Sequence, residues 1–143
     1  MINKHNIIDL FSGCGGFGLG AELAGFQTYA AIDIDSDLQS AYKRNFPMAH
    51  VINGDLSSFS KDAWKFILGD KEIDGIIGGP PCQGFSRMGK KDKDDPRNSL
   101  IFHFYRHIKN IRPKFFVMEN VEGILDKGSR SVLFSALDLV SND

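Results

Sequence analysis

The sequence predicts an α/β domain in which a parallel β-sheet is covered by helices. Three observations lead to this prediction. The chain has 143 residues, enough for one domain and at most two. Short apolar runs alternate with segments of helical periodicity, as in strands joined by crossover helices. Nine of the 15 glycines lie in two clusters that follow two of the predicted strands.

Each strand is predicted from an apolar run that ends at a turn signal. The first run, NIIDLF, stops at Ser12 and Gly13, and the second is TYAAIDI. A short third run follows Pro47, the fourth ends at the sequence GGPP, and the fifth is KFFVM. The predicted strands are residues 6–11, 28–34, 50–53, 73–77 and 114–118.

The helices are predicted between these strands. Gly25 ends the first helix, and Pro47 ends the second because the residue before a proline disfavours the helical conformation. In the fourth helix Leu100, Phe104 and His107 recur at helical spacing. The predicted helices are residues 18–24, 37–45, 61–68, 99–110 and 131–139.

Right-handed crossovers turn this alternation into a doubly wound, Rossmann-like sheet with strand order 3-2-1-4-5. In such a sheet the ligand lies beyond the carboxyl ends of the strands, at the topological switch point between the neighbouring strands one and four. The two glycine clusters follow these two strands, so the sequence predicts one site that both clusters form.

The first cluster reads as a nucleotide-binding turn. It contains Gly13-x-Gly15-x-x-Gly18 between a strand and a helix, and Asp33 ends the second strand, where it can accept ribose hydroxyls. A nicotinamide cofactor and S-adenosylmethionine both fit this pattern. Asp55 favours S-adenosylmethionine because it could accept the adenine amino group, although aspartate is also common in turns.

The second cluster leads into a cysteine. Pro80 and Pro81 fix the backbone immediately before Cys82, which indicates that the direction of this thiol matters. We therefore interpret Cys82 as a reactive thiol rather than a buried one. No comparable rigid segment precedes Cys14, which is therefore interpreted as a small packing residue.

Glu119 follows the fifth strand and is expected to stand over the same cleft as Cys82, since strands four and five are neighbours in the predicted order. A carboxylate there can act as a general acid, and a solvated loop glutamate is the alternative. His103 and His107 lie four residues apart without a third ligand, and we interpret them as packing or surface residues.

The segments DLFSGCGGFGLG, GGPPCQGFS and ENV, in this order and spacing, closely resemble those of the DNA (cytosine-5) methyltransferases. The resemblance covers nearly the whole chain. It implies a fold of the S-adenosylmethionine-dependent methyltransferase type, with S-adenosylhomocysteine as product, in a bacterial restriction-modification system of the cytoplasm. It also implies that Cys82 adds to carbon 6 of a cytosine flipped out of the duplex, and that Glu119 engages and protonates ring nitrogen 3.

The resemblance assigns further roles by position. Asp33 and Ile34 depart from the family's usual glutamate and larger or aromatic residue. Residues 87–98 carry five basic and three acidic side chains and would close over the nucleic acid, whereas any such charge run can also be a solvated loop. The implied cofactor-binding residues are Phe11, Gly13, Gly15, Gly16, Asp33, Ile34, Asp55, Leu56, Pro81 and Leu100. The implied nucleic-acid-binding residues are Gln83, Ser86, Arg87, Lys90, Lys91 and Arg97.

Charge and hydropathy exclude some classes of function. The net charge of −1 gives no overall attraction to nucleic acid or membrane, and no apolar run approaches the ~20 residues of a membrane span. The two cysteines lack the spacing of a metal site, which favours a reduced, cytoplasmic setting.

Compared with the family, the chain is expected to be the N-terminal part of a catalytic domain, without its last two strands and its target-recognition domain. We expect strand five to be an exposed edge that favours a homodimer or a complementary polypeptide, and the chain alone to be inactive. Double-stranded DNA is the expected partner of the completed enzyme. The alternatives are a tRNA cytosine-5 methyltransferase, a non-catalytic S-adenosylmethionine-binding remnant and a nicotinamide-dependent oxidoreductase.

Overall fold

The structure is a computed structural model that describes residues 5–81, 99–127 and 129–141, and its centre is a five-stranded sheet. The strand order is β3-β2-β1-β4-β5, and all neighbouring strands are parallel. The predicted fold class and strand order are therefore confirmed. The strands are β1 (Asn6–Leu10), β2 (Gln27–Asp33), β3 (His50–Asn53), β4 (Gly75–Gly78) and β5 (Phe115–Met118).

Five α-helices connect or follow the strands, close to their predicted positions. Side-chain caps fix two of their starts: Asp35 accepts hydrogen bonds from the N–H groups of Asp37 and Leu38 at 2.9 and 3.0 Å, and Ser60 caps the third helix. A short 3₁₀ helix, Glu122–Leu125, was not predicted because four residues are too few to show a periodicity. The helices are α1 (Gly16–Leu23), α2 (Ser36–Asn45), α3 (Lys61–Leu68), α4 (Leu100–Ile111) and α5 (Arg130–Ser141).

Both faces of the sheet are buried, which explains why the strand segments are continuously apolar. On one face Leu10 and Ile76 pack with Trp64 of α3 and Phe104 of α4 in the larger core. On the other face Tyr42 and Phe46 of α2 pack against Ala31 of β2. These helices hold the carboxyl ends of β1, β2 and β4 in fixed positions relative to one another.

An ionic cluster fastens the opposite, amino-terminal end of the sheet. Asp74 accepts a hydrogen bond from the backbone N–H of Asn6 at 2.9 Å and pairs with Lys114 at 2.7 Å. Lys114 also pairs with Glu72 at 2.8 Å. The contact with Lys114, together with the Asn6 N–H, lowers the pKa of Asp74 to about 2. The cluster ties β1, β4 and β5 together at the end away from the predicted site.

The fifth strand forms one edge of the sheet. Phe116 and Val117 are 37% and 47% exposed, so the expected apolar edge is confirmed for these two residues. Phe115 is half-buried, because its ring packs against Phe26 at 5.4 Å and lies over Gly75. In the described ranges no helix has the length and apolar character needed to cross a membrane.

Candidate functional site

A cleft of about 440 Å³ opens between the carboxyl ends of β1 and β4. The residues that form it come from the first glycine turn, the start of the second glycine cluster and the segment after β5. The two glycine clusters therefore meet where the strand order predicted. The described residues that line the cleft are Asp9, Phe11, Ser12, Phe17, Gly79 and Glu119.

The first glycine turn uses backbone conformations that few residues adopt. Gly13 and Gly15 have φ angles of 53° and 100°, and a Cβ at Gly15 would overlap the ring of Phe46. Phe11 also has a positive φ, 55°, so β1 ends one residue earlier than predicted. A non-glycine residue in this conformation costs ~1–3 kcal/mol and is typical of functional sites. Apart from its chain neighbours and its own helix, no described residue places an atom within 4 Å of the Cβ position at Gly16.

Asp33 closes this turn and keeps acceptor capacity. Its Oδ2 accepts the backbone N–H of Gly13 at 2.9 Å, and its Oδ1 accepts that of Asp35 at 3.0 Å. A carboxylate offers about four acceptor positions, so each oxygen can accept a further hydrogen bond. The half-buried Asp33 therefore keeps acceptor positions on both oxygens, and its binding of ribose hydroxyls stays a prediction.

The loop after β3 carries Asp55 and Leu56 beside the end of β2. Asp55 is exposed, and Ser57 donates to it from both its hydroxyl and its backbone N–H, at 2.7 and 2.8 Å. These hydrogen bonds hold the pKa of Asp55 below its usual range, so it is an ionised acceptor. Ile34, at the end of β2, exposes 69% of its surface, whereas the Leu56 side chain is buried in the core. None of these three residues lines the 440 Å³ cleft itself, which lies on the other side of β1.

Glu119 and Asn120 bring the end of β5 to the second glycine cluster. The N–H of Glu119 donates to the carbonyl of Gly78 at 3.0 Å, and its exposed side chain faces Gly79, where a Cβ would lie 3.1 Å from Oε2. Asn120 donates from its side chain to the carbonyl of Pro80 at 3.1 Å. This contact fixes the first of the two prolines that precede Cys82.

Two predicted cofactor contacts lie close to the residues that the structure does not describe, and several other predicted residues are among those undescribed residues. Pro81 is exposed and is the last described residue of its segment, and Leu100 begins α4. The candidate nucleophile and the candidate nucleic-acid contacts lie outside the described residues: Cys82, Gln83, Ser86, Arg87, Lys90, Lys91 and Arg97.

Asp9 is a functional candidate that the sequence analysis missed. Its side chain is 1% exposed; Oδ2 accepts the hydroxyl of Tyr42 at 3.1 Å, and among the described residues Oδ1 has no hydrogen-bond partner. Burial raises its pKa to about 7, although the bond from Tyr42 opposes the shift. The signal was present in the sequence, because Asp9 is the one charged residue of the apolar run NIIDLF. An unpaired buried carboxylate oxygen in a cleft marks a position for a donor or a cation.

Two interpretations of individual side chains have opposite outcomes. The interpretation of Cys14 as a packing residue is wrong, since Cys14 is exposed. The reason is that the adjacent Gly15 occupies the inward position against Phe46. His107 is a packing residue, as predicted: it is fully buried and accepts the indole N–H of Trp64 at 2.9 Å.

Comparisons with known proteins identify the family. The family model for C-5 cytosine-specific DNA methylases matches residues 5–141. The Type II methyltransferase M.DdeI of Desulfomicrobium norvegicum is 49% identical over 126 residues, which are 88% of this chain and 30% of that protein. M.XorII of Xanthomonas oryzae pv. oryzae is 42% identical over 137 residues, covering 94% of this chain and 32% of its own length. The chain thus spans about a third of these relatives and matches their N-terminal part.

Solved structures show the same fold. A prophage-encoded E. coli protein, described as a DNA modification methyltransferase of inferred function, superposes with a TM-score of 0.87 at 42% identity, covering 98% of this chain and 38% of its own. A mutant of Spodoptera frugiperda DNMT2 gives 0.68 at 30% identity, covering 95% and 41%. With the family model spanning nearly all of its residues, the chain belongs to the C-5 cytosine-specific DNA methylase family.

Proposed function

We propose that this chain is the cofactor-binding and catalytic part of a DNA cytosine-5 methyltransferase, which transfers the methyl group of S-adenosylmethionine to carbon 5 of cytosine. The observation that carries the proposal is the cleft in which the glycine turn meets two carboxylates, Asp9 and Glu119. Family membership supports the reaction, and the charge of the cleft supports the cofactor.

The charge of the cleft favours S-adenosylmethionine over a nicotinamide dinucleotide. A dinucleotide would bring its anionic pyrophosphate to the glycine turn, beside the buried carboxyl of Asp9. S-adenosylmethionine instead brings a sulfonium and an ammonium group. Because the pKa of Asp9 is about 7, a nearby cation shifts Asp9 to its ionised form and an anion shifts it to its neutral form. Oδ1 has no hydrogen-bond partner among the described residues, so it can lie beside a cationic group of S-adenosylmethionine.

The remaining cofactor contacts follow the ends of β1, β2 and β3. Gly13 and Gly16 give the ligand access to the backbone, Gly15 lets the turn pack closely against Phe46, and Asp33 accepts the two ribose hydroxyls. Asp55 accepts the adenine amino group. Phe11, Ile34, Leu56, Pro81 and Leu100 complete the proposed set around the methionyl and adenosyl parts.

The chain's own residues supply the activation of cytosine. Carbon 5 is a weak nucleophile, so the Cys82 thiolate adds to carbon 6 while Glu119 protonates nitrogen 3, which gives an electron-rich enamine. Bound S-adenosylmethionine supplies the methyl group. Loss of the proton at carbon 5 to solvent, expulsion of the Cys82 thiolate and return of the nitrogen-3 proton to Glu119 then restore the aromatic ring. Asn120 supports this step by fixing the carbonyl of Pro80, two residues before Cys82 in the sequence.

Duplex DNA is the proposed substrate, because the matching family model is one of DNA methylases. The target cytosine has to be flipped out, since both of its ring faces are stacked in the duplex. The basic residues of 87–98, with Gln83 and Ser86, would contact the DNA. The exposed edge of β5 would pair with a further part of the enzyme or a second polypeptide, and the protein would act in the cytoplasm.

The test is covalent trapping with DNA that contains 5-fluorocytosine, from which fluorine cannot leave as a proton does. The chain is completed with the C-terminal region of M.DdeI, and full-length M.DdeI is the positive control. We expect an adduct that survives denaturation, requires S-adenosylmethionine and disappears in Cys82→Ala. The matched variant Cys14→Ala should retain the adduct. An adduct that persists in Cys82→Ala would refute the assignment of the nucleophile.

A further inference from the structure

Two side chains of α4 bind the backbone of the loop that carries Asp55. Arg106 places its Nη2 atom 3.0 Å from the carbonyl oxygens of Leu56 and Ser57 and 3.3 Å from that of Phe59. His107, the next residue of α4, places Nε2 2.9 Å from the same Leu56 oxygen. Two adjacent residues of one helix thus bind three carbonyls within a four-residue stretch.

The imidazole of His107 is fixed in one tautomer by its two neighbours. The indole N–H of Trp64 donates to Nδ1 at 2.9 Å, so Nδ1 is the acceptor and Nε2 carries the hydrogen that is donated to Leu56. Burial is the main cause that lowers the pKa of His107 to about 4, and the charge of Arg106 acts in the same direction. The chain Trp64–His107–Leu56 is therefore a neutral, fully satisfied connection between α3, α4 and the loop.

Within the loop, Asp55 is oriented by bonds that depend on the same backbone. Its carboxylate accepts the N–H and the hydroxyl of Ser57, while its carbonyl accepts the N–H and the hydroxyl of Ser58 at 3.0 and 2.7 Å. Arg106 holds the carbonyl of Ser57 from the other side. The carboxylate of Asp55 remains exposed, and the three carbonyls point towards α4.

From these contacts we infer that Arg106 and His107 are positioning residues for cofactor recognition: they hold the loop after β3 so that the Asp55 carboxylate meets the adenine amino group. The inference rests on the proposed function, because it takes an adenosyl cofactor as the ligand. The same helix begins at Leu100, another proposed cofactor contact, so one rigid element carries one proposed contact and supports the loop that carries another.

The inference predicts a loss of base discrimination rather than a general loss of binding. Calorimetry compares S-adenosylhomocysteine with S-inosylhomocysteine, in which an oxygen replaces the amino group. One hydrogen bond to a charged group corresponds to roughly ten-fold discrimination or more in the unaltered chain. In Arg106→Met we expect the affinities for the two ligands to fall within about two-fold of each other, as they should in Asp55→Ala. The double variant Arg106→Met/Asp55→Ala should lose no further discrimination. Arg44→Met, the same substitution at an exposed arginine of α2, should keep the full discrimination.

A second readout needs no cofactor. Amide hydrogen exchange of the unliganded chain should show protection at Ser57 and Ser58, whose N–H groups bind Asp55, and loss of that protection in Arg106→Met while the sheet amides stay protected. Two milder variants serve if Arg106→Met does not fold: Arg106→Lys keeps the charge, and Trp64→Phe removes the donor to His107 together with part of the buried ring. We expect partial losses of both readouts. Folded variants with unchanged discrimination and unchanged exchange would overturn the inference. Failure of the proposed cofactor would differ, since the exchange change would remain while neither ligand binds.

Discussion

Asp9→Asn should make the stability of the chain less dependent on pH. Asp9 is buried, and its pKa rises from 3.8 to about 7 on folding. At ~1.36 kcal/mol per pKa unit, this shift corresponds to roughly 4 kcal/mol between protonation states. A raised pKa stabilises the folded chain fully below the unfolded value near 4, and this contribution is lost as the pH rises through 7. Above that pH the folded protein carries a buried negative charge with one unpartnered oxygen.

The magnitude between two convenient pH values follows from the same shift. Between about pH 5 and about pH 8, the titration of Asp9 should reduce the free energy of unfolding by roughly 2–3 kcal/mol. Asparagine cannot ionise, but its carbonyl oxygen can still accept the hydroxyl of Tyr42. The variant should therefore gain about that amount relative to the unaltered chain over this range, which is a large fraction of a typical domain stability of ~5–15 kcal/mol.

Urea unfolding at the two pH values measures the effect as a difference between proteins, so titrations common to both cancel. Asp62→Asn is the matched control, because the Asp62 side chain is 86% exposed on α3. Its stability difference from the unaltered chain should stay constant over the range. A constant difference for Asp9→Asn as well would refute the reasoning that burial governs this carboxyl group.

Three further predictions concern the proposed function. Asp33→Ala should weaken binding of S-adenosylhomocysteine by up to ~3 kcal/mol, the scale of hydrogen bonds to a charged group, and calorimetry that finds equal affinity would contradict the ribose role. Glu119→Gln in the chain completed with the M.DdeI region should bind cofactor normally but lose ~10²–10⁴ in methylation rate, as measured by single-turnover transfer. The 143 residues alone should incorporate no labelled methyl group into duplex DNA, with full-length M.DdeI as positive control, because base flipping costs a few kcal/mol that these residues have little means to offset. Turnover by the monomer that Cys82→Ala abolishes would contradict this last prediction.

The fold was predictable because its signals are local. Alternating apolar and helical segments define the elements, and the rule of right-handed crossovers then leaves few strand orders. Boundaries shifted by up to two residues where backbone geometry prevailed over composition. Phe11, for example, is apolar like its neighbour Leu10 in β1 but has the left-handed conformation that starts the turn.

The site was predictable only where its residues belong to a local motif. The glycine turn and Asp33 follow from spacing along the chain, and the structure joins them by the bond from Gly13 to Asp33. The roles of Asp9 and Arg106 depend on contacts with residues 33 to 50 positions away, such as the bond from Tyr42 to Asp9 and those from Arg106 to the loop after β3. No periodicity or spacing indicates such pairs.

The exposure of Cys14 shows the same limit on a smaller scale. Sequence placed this residue within a turn but could not tell which of its neighbours faces inward. The positive φ of Gly15 and its close approach to Phe46 decide that question. The turn consequently presents Cys14 to solvent.

The central claim is that the cleft binds a cationic adenosyl cofactor, and titration of the purified chain tests it most directly. S-adenosylmethionine and NADH are each added near pH 7 while binding heat is recorded in two buffers of different ionisation enthalpy. The account predicts that S-adenosylmethionine binds with release of protons, because its positive charge ionises Asp9, and that this release disappears in Asp9→Asn. It also predicts no binding of NADH. Binding of NADH, or no binding of S-adenosylmethionine by the folded chain, would contradict the account.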